Sequence, residues 1–306
     1  MTSTLVEELL GGSLRSLAQT ISHVENETLQ APLLLDSLFP HMGHAYRVGV
    51  TGPPGAGKST LVDKITQVYR DSGKRVGIIV VDPSSPFTGG ALLGDRLRMS
   101  DHYLDEGVFI RSMATRGETG GLAARSQEVG DLLDAAGYDI IIFETVGVGQ
   151  VELDVVETVD TTLVVLVPES GDDIQLMKAG IIEIGDIFII NKSDREGARQ
   201  LGHILEQLLA LKEEQVEWKT PVCQTSATLG TGIEELMQCL ERHHSHLKDT
   251  GLHTSKRRDR ARQRVHRLVA DQVMSDFWNT TRLDIMERGL DTVPPYQLSR
   301  SILEES

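Results

Sequence analysis

Cysteine, aromatic residues and long apolar runs are all scarce in this sequence. Only two of the 306 residues are cysteines, Cys223 and Cys239, and aromatic residues make up 4%. The cysteines have neither a metal-binding spacing nor the density of a disulfide-stabilised secreted domain, so they favour a reducing compartment. No apolar run approaches the ~18 residues that a membrane-spanning helix requires. The sequence therefore predicts no membrane association and a cytoplasmic location.

Basic residues are also in short supply. Lysine and arginine number 30 against 45 aspartates and glutamates, which gives a formal net charge of -15. This excess disfavours generic binding to DNA, RNA or anionic membranes, so no nucleic-acid partner is expected. The N-terminal residues are rich in glutamate and carry Arg15 as their sole early basic residue, which fits neither a signal peptide nor a transit peptide. An acidic protein that binds a polyphosphate must do so through local geometry.

What the sequence does contain is a glycine-rich stretch between a strand and a helix. Residues 52–60 match GxxxxGK[ST], after the β-branched strand Arg47–Thr51 and before helically spaced apolar residues at 61–70. Glycine permits backbone conformations that turn successive N–H groups onto phosphate oxygens at a helix N-terminus. Lys58 is predicted to reach the β- and γ-phosphates, and Ser59 to bind Mg²⁺. The predicted phosphate-binding residues are Gly52, Pro53, Pro54, Gly55, Ala56, Gly57, Lys58, Ser59 and Thr60.

Apolar β-branched runs alternate with helix-like stretches from residue 46 to about 228, which predicts a mostly parallel sheet covered on both faces by helices. We therefore expect an α/β fold of the P-loop NTPase type. Residues 1–45 are predicted to form an N-terminal helical extension, 46–230 a GTPase domain, and 231–306 C-terminal helices. The predicted strands after the first are Val76–Val81, Val108–Met113, Ile140–Thr145, Thr162–Val167, Ile187–Asn191 and Val222–Ser226.

Two acidic side chains end predicted strands, and a third lies in a glycine-rich loop. Asp82 suits Mg²⁺ or its water shell, and Asp95 is placed where a switch loop would deliver it toward the γ-phosphate. Glu144 ends a buried strand and could hold the metal's water or orient the attacking one. Gly147 could offer its N–H to the γ-phosphate. Alternatively, Asp95 and Glu144 are helix caps.

Base choice depends on Asn191-Lys192-Ser193-Asp194, which follows a strand. The Asp194 carboxylate can accept both N1–H and the N2 amino group of guanine, whereas adenine presents an acceptor at N1. This predicts GTP and GDP as ligands. Asn191 and Lys192 would brace the loop and cover the base, and backbone N–H groups of Ser226, Ala227 and Thr228 would meet the guanine carbonyl.

Together these motifs resemble the MeaB/ArgK-type GTPases, which include MMAA-like proteins and assist adenosylcobalamin-dependent methylmalonyl-CoA mutase and related acyl-CoA mutases. The resemblance spans about residues 45 to 230. The motifs that carry it are Gly52–Thr60, Val81–Ser85, Arg116–Gly117, Gly120–Gly121, Glu144–Gln150, Gly171–Gln175, Lys178–Ile181 and Asn191–Asp194.

The resemblance implies a homodimeric GTPase of the SIMIBI type that gates cofactor loading onto the mutase and protects it from inactivation. It implies that Lys58, Asp82, Asp95 and Glu144 serve nucleotide, Mg²⁺ and catalysis, with Ser59 also on the metal. The segment 171–181 would be an additional switch, and the C-terminal helices a dimerisation arm. Arg96-Leu97 and Glu118-Thr119 depart from the family pattern, which leaves details of switch contact open.

Three other interpretations remain. A nickel- or cobalt-insertion GTPase is suggested only by His243-His244-Ser245-His246, which could equally be a solvated helix end. A GTP-dependent kinase acting on a transport protein would need a positioned base that the sequence does not offer. A purely structural module would not need three acidic residues around a phosphate loop. The basic run 256–267 is either a surface for an anionic partner or a solvated helix face paired with carboxylates.

Overall fold

The computed structural model describes residues 2–82, 102, 104–114, 121–145, 157–168, 182–211 and 217–305. Asp95, Gly147, Arg116–Gly117 and the segment 171–181 lie outside the described residues. Of Asp82, only the backbone is described.

A seven-stranded parallel sheet forms the centre of the fold, with strand order β3-β2-β4-β1-β5-β6-β7. All residues of β1, β4 and β5 are buried, as expected for central strands that are covered on both faces. The predicted α/β sheet is confirmed. The strands are β1 Tyr46–Thr51, β2 Val76–Asp82, β3 Val108–Ala114, β4 Ile140–Thr145, β5 Thr161–Leu166, β6 Ile187–Ile190 and β7 Val222–Gln224.

The helices flank this sheet or extend from it at both ends of the chain. A short 3₁₀ helix, Phe39–His41, follows α3. The α-helices are α1 Thr2–Leu10, α2 Leu14–Glu25, α3 Ala31–Leu38, α4 Lys58–Asp71, α5 Gly121–Ala135, α6 Ile182–Ile184, α7 Ala198–Ala210, α8 Ile233–Asp249, α9 Leu252–Phe277, α10 Thr280–Gly289 and α11 Pro295–Glu304.

Alternate side chains of each strand lie on opposite faces of the sheet. Val48 and Ile78 belong to a core shared with Leu61 of α4 and Leu236 of α8. On the opposite face, residues of β2 and β4 pack with α5 and with the N-terminal helices. This second face is close-packed, because a Cβ on Gly130 of α5 would lie 2.7 Å from the Phe143 ring.

The N-terminal helices are bound to the sheet domain by polar contacts as well as apolar ones. Both carboxylate oxygens of Asp134 in α5 accept backbone N–H groups, from Gly43, His44 and Ala45. The guanidinium of Arg111 in β3 bonds to the carboxylate of Glu25 at the end of α2. The helical character predicted for this extension is therefore confirmed, and it belongs to the same compact unit as the sheet.

The chain divides into two compact units, Met1–His253 and Thr254–Ser306. In the second unit, Leu298 and Ile302 of α11 are buried, and Leu298 packs against Gly289 of α10. The basic run predicted to open a helix lies within α9, where Arg262 and Asp259 form an exposed ion pair of 2.6 Å. Everything described beyond residue 232 is helical or a short connection, as predicted.

Candidate nucleotide-binding site

The candidate site lies at the carboxyl ends of the central strands. β1 lies between β4 and β5 in the sheet, so the loops that follow parallel strands open on one common edge. The loop after β1 carries the phosphate-binding motif, β4 ends next to Glu144, and Asn191 and Thr225 directly follow β6 and β7. Chain segments far apart in sequence thus converge on one crevice.

The phosphate loop has a backbone that only glycine can adopt at two tightly packed positions. Gly52 has φ 139°, and an added Cβ would lie 2.1 Å from the carbonyl oxygen of Val165. Gly57 has φ 86°, and its Cβ would lie 2.4 Å from Nδ2 of Asn191. Gly57 also caps α4 without any side-chain hydrogen bond. The positive end of α4 is therefore capped by backbone alone, which suits an anion.

Lys58 is the first residue of α4 and its ammonium group turns back over the loop. Its Nζ donates to the carbonyl oxygens of Gly52 at 2.6 Å and Pro53 at 3.0 Å. The residue is only 6% exposed. A buried cation held above a ring of backbone amides is the arrangement that receives the β- and γ-phosphates in P-loop proteins.

Ser59 and Glu144 meet beside the lysine. The Ser59 hydroxyl donates to Oε1 of Glu144 at 2.6 Å, and Glu144 is 2% exposed. A hydroxyl and a carboxylate in contact are hard oxygen donors of the kind that Mg²⁺ takes, usually together with waters and substrate phosphates. These residues therefore fit the Mg²⁺ ion that a P-loop fold implies. Glu144 contacts the phosphate-loop side of the site, as expected for a strand-end carboxylate in this position.

Asn191 connects the phosphate loop to the loop expected to hold the base. Its Nδ2 donates to the carbonyl oxygen of Ala56 at 2.8 Å, while its Oδ1 accepts from Ala227 N at 3.1 Å and Thr225 Oγ1 at 3.2 Å. The residue is 3% exposed. This bracing role was predicted for Asn191, although the direct bond to the phosphate loop was not.

Asp194 lies at the rim of the crevice, next to Ser226. Ser226 Oγ donates to Oδ1 of Asp194 at 2.6 Å, and this hydrogen bond holds the pKa of the carboxyl group below its usual value. The carboxylate is thus ionised throughout the neutral range, as the predicted hydrogen bonds from guanine require. Lys192, one position after Asn191, has the uncommon φ of 56°, consistent with a tight turn at the strand end.

The structure brings together the phosphate loop, Lys58, Ser59, Glu144, Asn191, Asp194, Ser226 and Ala227. Thr228 follows them as an exposed residue, and Asp82 ends β2 beside Ala114 of β3. Two threonines were missed by the sequence argument. Thr145 Oγ1 donates to Thr51 Oγ1 at 3.0 Å, which joins the ends of β4 and β1. The sequence signal for this contact was that the apolar runs of β1 and β4 each end in a threonine.

The histidine run 243–246 is only partly the solvated helix end considered above. His243 is 2% exposed, and its Nδ1 is 2.7 Å from Thr161 Oγ1, a partner also of the Tyr46 hydroxyl. In the part of the chain that the structure describes, no group of three or more histidine, cysteine, aspartate or glutamate side chains is arranged to hold a metal ion. His243 is thus a packing residue, since it belongs to a hydrogen-bonded network at the amino ends of β1 and β5.

Comparison with known proteins identifies the family. Residues 17–282 match the family model described as methylmalonyl Co-A mutase-associated GTPase MeaB. The chain belongs to the MeaB family. Because the match extends from α2 into α10, it includes most of α2, all of α3, and the C-terminal helices α8 and α9, beyond the 45–230 span on which the resemblance was based. Like other members of the MeaB family, the chain is a GTPase.

Relatives named in other organisms agree with this family. GTPase ArgK of Escherichia coli is 38% identical, with 77% of this chain and 73% of that protein covered. The mouse protein named methylmalonic aciduria type A homolog, mitochondrial, is 36% identical over 76% of this chain and 57% of its own length. A crystal structure of an LAO/AO transport system kinase aligns with a TM-score of 0.75 at 27% identity, covering 99% of this chain and 96% of that one. No helix within the described ranges combines the length and apolar character needed to cross a membrane.

Proposed function

We propose that this GTPase controls the loading of adenosylcobalamin onto methylmalonyl-CoA mutase, or a related acyl-CoA mutase, and protects the loaded enzyme from inactivation. The observation that carries the proposal is the match of residues 17–282 to a family described by its association with that mutase. The mouse relative, named for methylmalonic aciduria, supports the same metabolic context. Cytoplasmic location stays the prediction made from the sequence.

In the proposed mechanism, GTP enters with its phosphates on the loop 52–60. The Lys58 ammonium exchanges the carbonyl oxygens of Gly52 and Pro53 for phosphate oxygens, so its charge offsets the charge that develops as water attacks the γ-phosphate in line. Ser59 and Glu144 would hold Mg²⁺, with Asp82 and Asp95 contributing, and the ion would neutralise charge on the phosphates. Glu144 could also orient the attacking water, and Gly147 would sense the γ-phosphate. Asn191, Asp194 and the loop 225–228 hold guanine.

Lys58 offers the most direct test of this site. We expect Lys58→Ala to lower the rate of phosphate release from GTP by about 100-fold or more, because a buried cation that faces the transferred group is lost. Lys64→Ala is the matched control, since Lys64 lies on the same helix, is partly exposed and pairs with Asp63. Undiminished hydrolysis by Lys58→Ala, with normal folding, would contradict the assignment.

The mutase role is tested with the purified partner. Intrinsic hydrolysis is expected to be slow, because no glutamine directly follows Gly147 in the sequence, and the mutase is expected to raise the rate. Co-purification of the two proteins, with the GTPase loaded with GDP or a GTP analogue, should show binding that depends on the nucleotide. Transfer of adenosylcobalamin to the apo-mutase should then require hydrolysable GTP and should fail with Lys58→Ala. Transfer at the same rate without GTP would refute the gating role.

We also propose that the protein is a homodimer held by its C-terminal helices. One face of α9 exposes apolar residues at helical spacing, and such a stripe is typical of an interface. Val265, Leu268, Val269 and Val273 are each more than half exposed. A second copy of the chain is the occupant we propose for this stripe, since a self-complementary patch closes as a twofold dimer.

A phosphotransfer activity is the second candidate, because the aligned crystal structure is of a protein named as a transport system kinase. Incubation with GTP or ATP labelled on the γ-phosphate separates the two activities. Hydrolysis releases the label as inorganic phosphate, and a kinase leaves it on an acceptor protein. We expect release from GTP.

A further inference from the structure

The two cysteines of the chain lie in contact with each other. Cys223 is in β7 and Cys239 in α8, 16 positions apart in sequence, and their sulfur atoms are 3.3 Å apart. Both are buried free thiols. No other cysteine occurs among the 306 residues. An S–S bond of ~2.05 Å would require the sulfurs to approach by about a further 1.2 Å.

The two thiols have different surroundings. The guanidinium of Arg242, one turn further along α8, donates from Nη2 to Cys239 Sγ at 3.1 Å. Cys239 Sγ therefore accepts hydrogen bonds from both Arg242 and the Cys223 thiol. Burial raises the pKa of the Cys223 thiol and keeps it protonated. We therefore assign Cys239 as the attacking sulfur and Cys223 as its partner.

The pair is placed across the loop that is expected to hold guanine. This loop, residues 225–232, is the whole connection between β7 and α8. Ser226 and Thr231 exchange two backbone hydrogen bonds across it, of 3.0 and 3.2 Å. At its end, Gly232 packs so tightly on β7 that an added Cβ would lie 2.0 Å from the Gln224 carbonyl oxygen. A covalent link between β7 and α8 would restrain both ends of the loop.

We propose that Cys223 and Cys239 form a reversible disulfide under oxidation by peroxide, and that this bond slows the release of guanine nucleotide. The Cys239 sulfur loses its proton and attacks one peroxide oxygen, which gives a sulfenic acid, and the departing hydroxide takes that proton to become water. The Cys223 sulfur then attacks the sulfenic sulfur, loses its proton and displaces a second water. Two thiols and one hydrogen peroxide thus give one disulfide and two waters. A dithiol reductant supplies the two hydrogens that restore the thiols. The effect on release rests on the proposed guanine site, but bond formation does not.

The experiment uses the full chain, reduced or treated with stoichiometric hydrogen peroxide. Thiol titration under denaturing conditions should count two free thiols in the reduced protein and none in the oxidised protein. The oxidised protein should be lighter by the mass of about two hydrogens. Dissociation of a fluorescent GDP should slow at least about threefold and recover with dithiothreitol, because Thr225–Thr228 must move for the base to leave. The melting temperature of the oxidised protein should rise by about 5 °C.

The variants Cys223→Ala and Cys239→Ala should each be insensitive to peroxide in GDP release and in melting temperature. Should either variant fold poorly, the unmutated protein in its two redox states still decides the question. Retention of both thiols, or oxidation to sulfinic acid instead of a disulfide, would overturn the proposal. A disulfide that leaves GDP release unchanged would overturn the coupling. Absence of GDP binding in the reduced protein would refute the guanine site, while the thiol count would still decide the bond.

Discussion

A single side chain in the candidate site can contact two separate loops. Asn191 is the clearest example, since one amide group donates to the phosphate loop and accepts from the loop 225–227. Asp194 is more exposed and has a narrower task. The hydrogen bond from Ser226 lowers the pKa of the Asp194 carboxyl group, and we propose that the carboxylate accepts two N–H groups from guanine. On this proposal the choice of base depends on Asp194, and the placement of the loop depends on Asn191.

Asp194→Asn should change which purine is bound. An amide in place of the carboxylate leaves the guanine N2 amino group facing a donor, so we expect GDP affinity to fall roughly 100-fold or more. Xanthine carries an acceptor oxygen at that carbon and should bind the variant better than guanine does. Fluorescence titration with both diphosphates measures the switch. Asp259→Asn, on exposed α9, is the control and should leave GDP affinity unchanged.

Sequence reasoning could name the candidate site residues because each lies in a short motif next to the end of an apolar strand. It placed His243 less well. The run 243–246 reads as polar, yet His243 falls on the same helical face as Leu236, Leu240 and Leu247, which are all buried. The helical spacing of His243 from these leucines therefore indicated its burial better than the polar composition of the run did. The contact between the two sulfurs was beyond sequence reasoning, since it depends on how α8 packs against β7.

At the scale of secondary-structure elements, the observed strands match the apolar runs closely. Their bounds differ from the predicted ones where the chain makes other contacts. β4 occupies the predicted Ile140–Thr145. β7 was predicted to continue to Ser226 but ends at Gln224, and beyond it Thr225 Oγ1 and Ala227 N donate to the side chain of Asn191. The N-terminal helical pattern is divided into three α-helices, and α1 ends at Gly11-Gly12, where Gly12 takes φ 89°.

The phosphate loop offers a comparison between two glycines with similar backbones. Gly55 and Gly57 have φ 78° and 86°, but a Cβ on Gly55 would meet nothing within 4 Å, whereas one on Gly57 would strike Asn191. Gly55→Ala should cost about 1–2 kcal/mol of unfolding free energy through backbone strain alone. Gly57→Ala should cost at least about 1 kcal/mol more, because Asn191 must also move. Urea denaturation of the nucleotide-free proteins measures the difference, and equal losses would contradict the contact.

A buried ion pair joins β1 and α5, and we expect its removal to lower the free energy of unfolding. Arg47 Nη2 lies 2.6 Å from Asp131 and 3.6 Å from Asp134, and the Arg47 and Asp134 side chains are almost fully buried. Arg47→Met should lower the free energy of unfolding by about 3–5 kcal/mol, because buried carboxylates lose their cation. Lys74→Met, which removes the exposed pair with Asp139, should cost less than about 1 kcal/mol. Equal effects in denaturant titrations would argue against a dominant buried pair.

At the scale of the whole molecule, the boundary between compact units lies at His253/Thr254, within α9 near its start. Sequence composition had suggested a functional boundary at residue 230, where strands cease. The difference arises because α8 packs its Leu236 and Leu240 into the sheet core and so belongs with the first unit. The proposed dimer helices are therefore α9 to α11.

The dimer proposal predicts that a charge on the exposed stripe of α9 separates the subunits. Leu268→Asp should convert a dimer into a monomer in size-exclusion chromatography with light scattering, since a carboxylate would be buried without a partner. Gln263→Asp introduces the same group on the opposite face of the helix and should leave the mass unchanged. A monomeric unmutated protein, or a dimeric Leu268→Asp variant, would contradict this interface.

The bridging amide of Asn191 has a consequence for compounds that fill only part of the crevice. Asn191 contacts both the phosphate loop and the loop proposed to hold the purine. A small molecule bound at one end of the proposed site is therefore expected to alter the shape of the other end. When two inhibitor fragments bind the two ends together, their binding free energies should therefore differ from the sum of the two values measured separately. The difference would be a coupling free energy that depends on the buried carboxamide of Asn191.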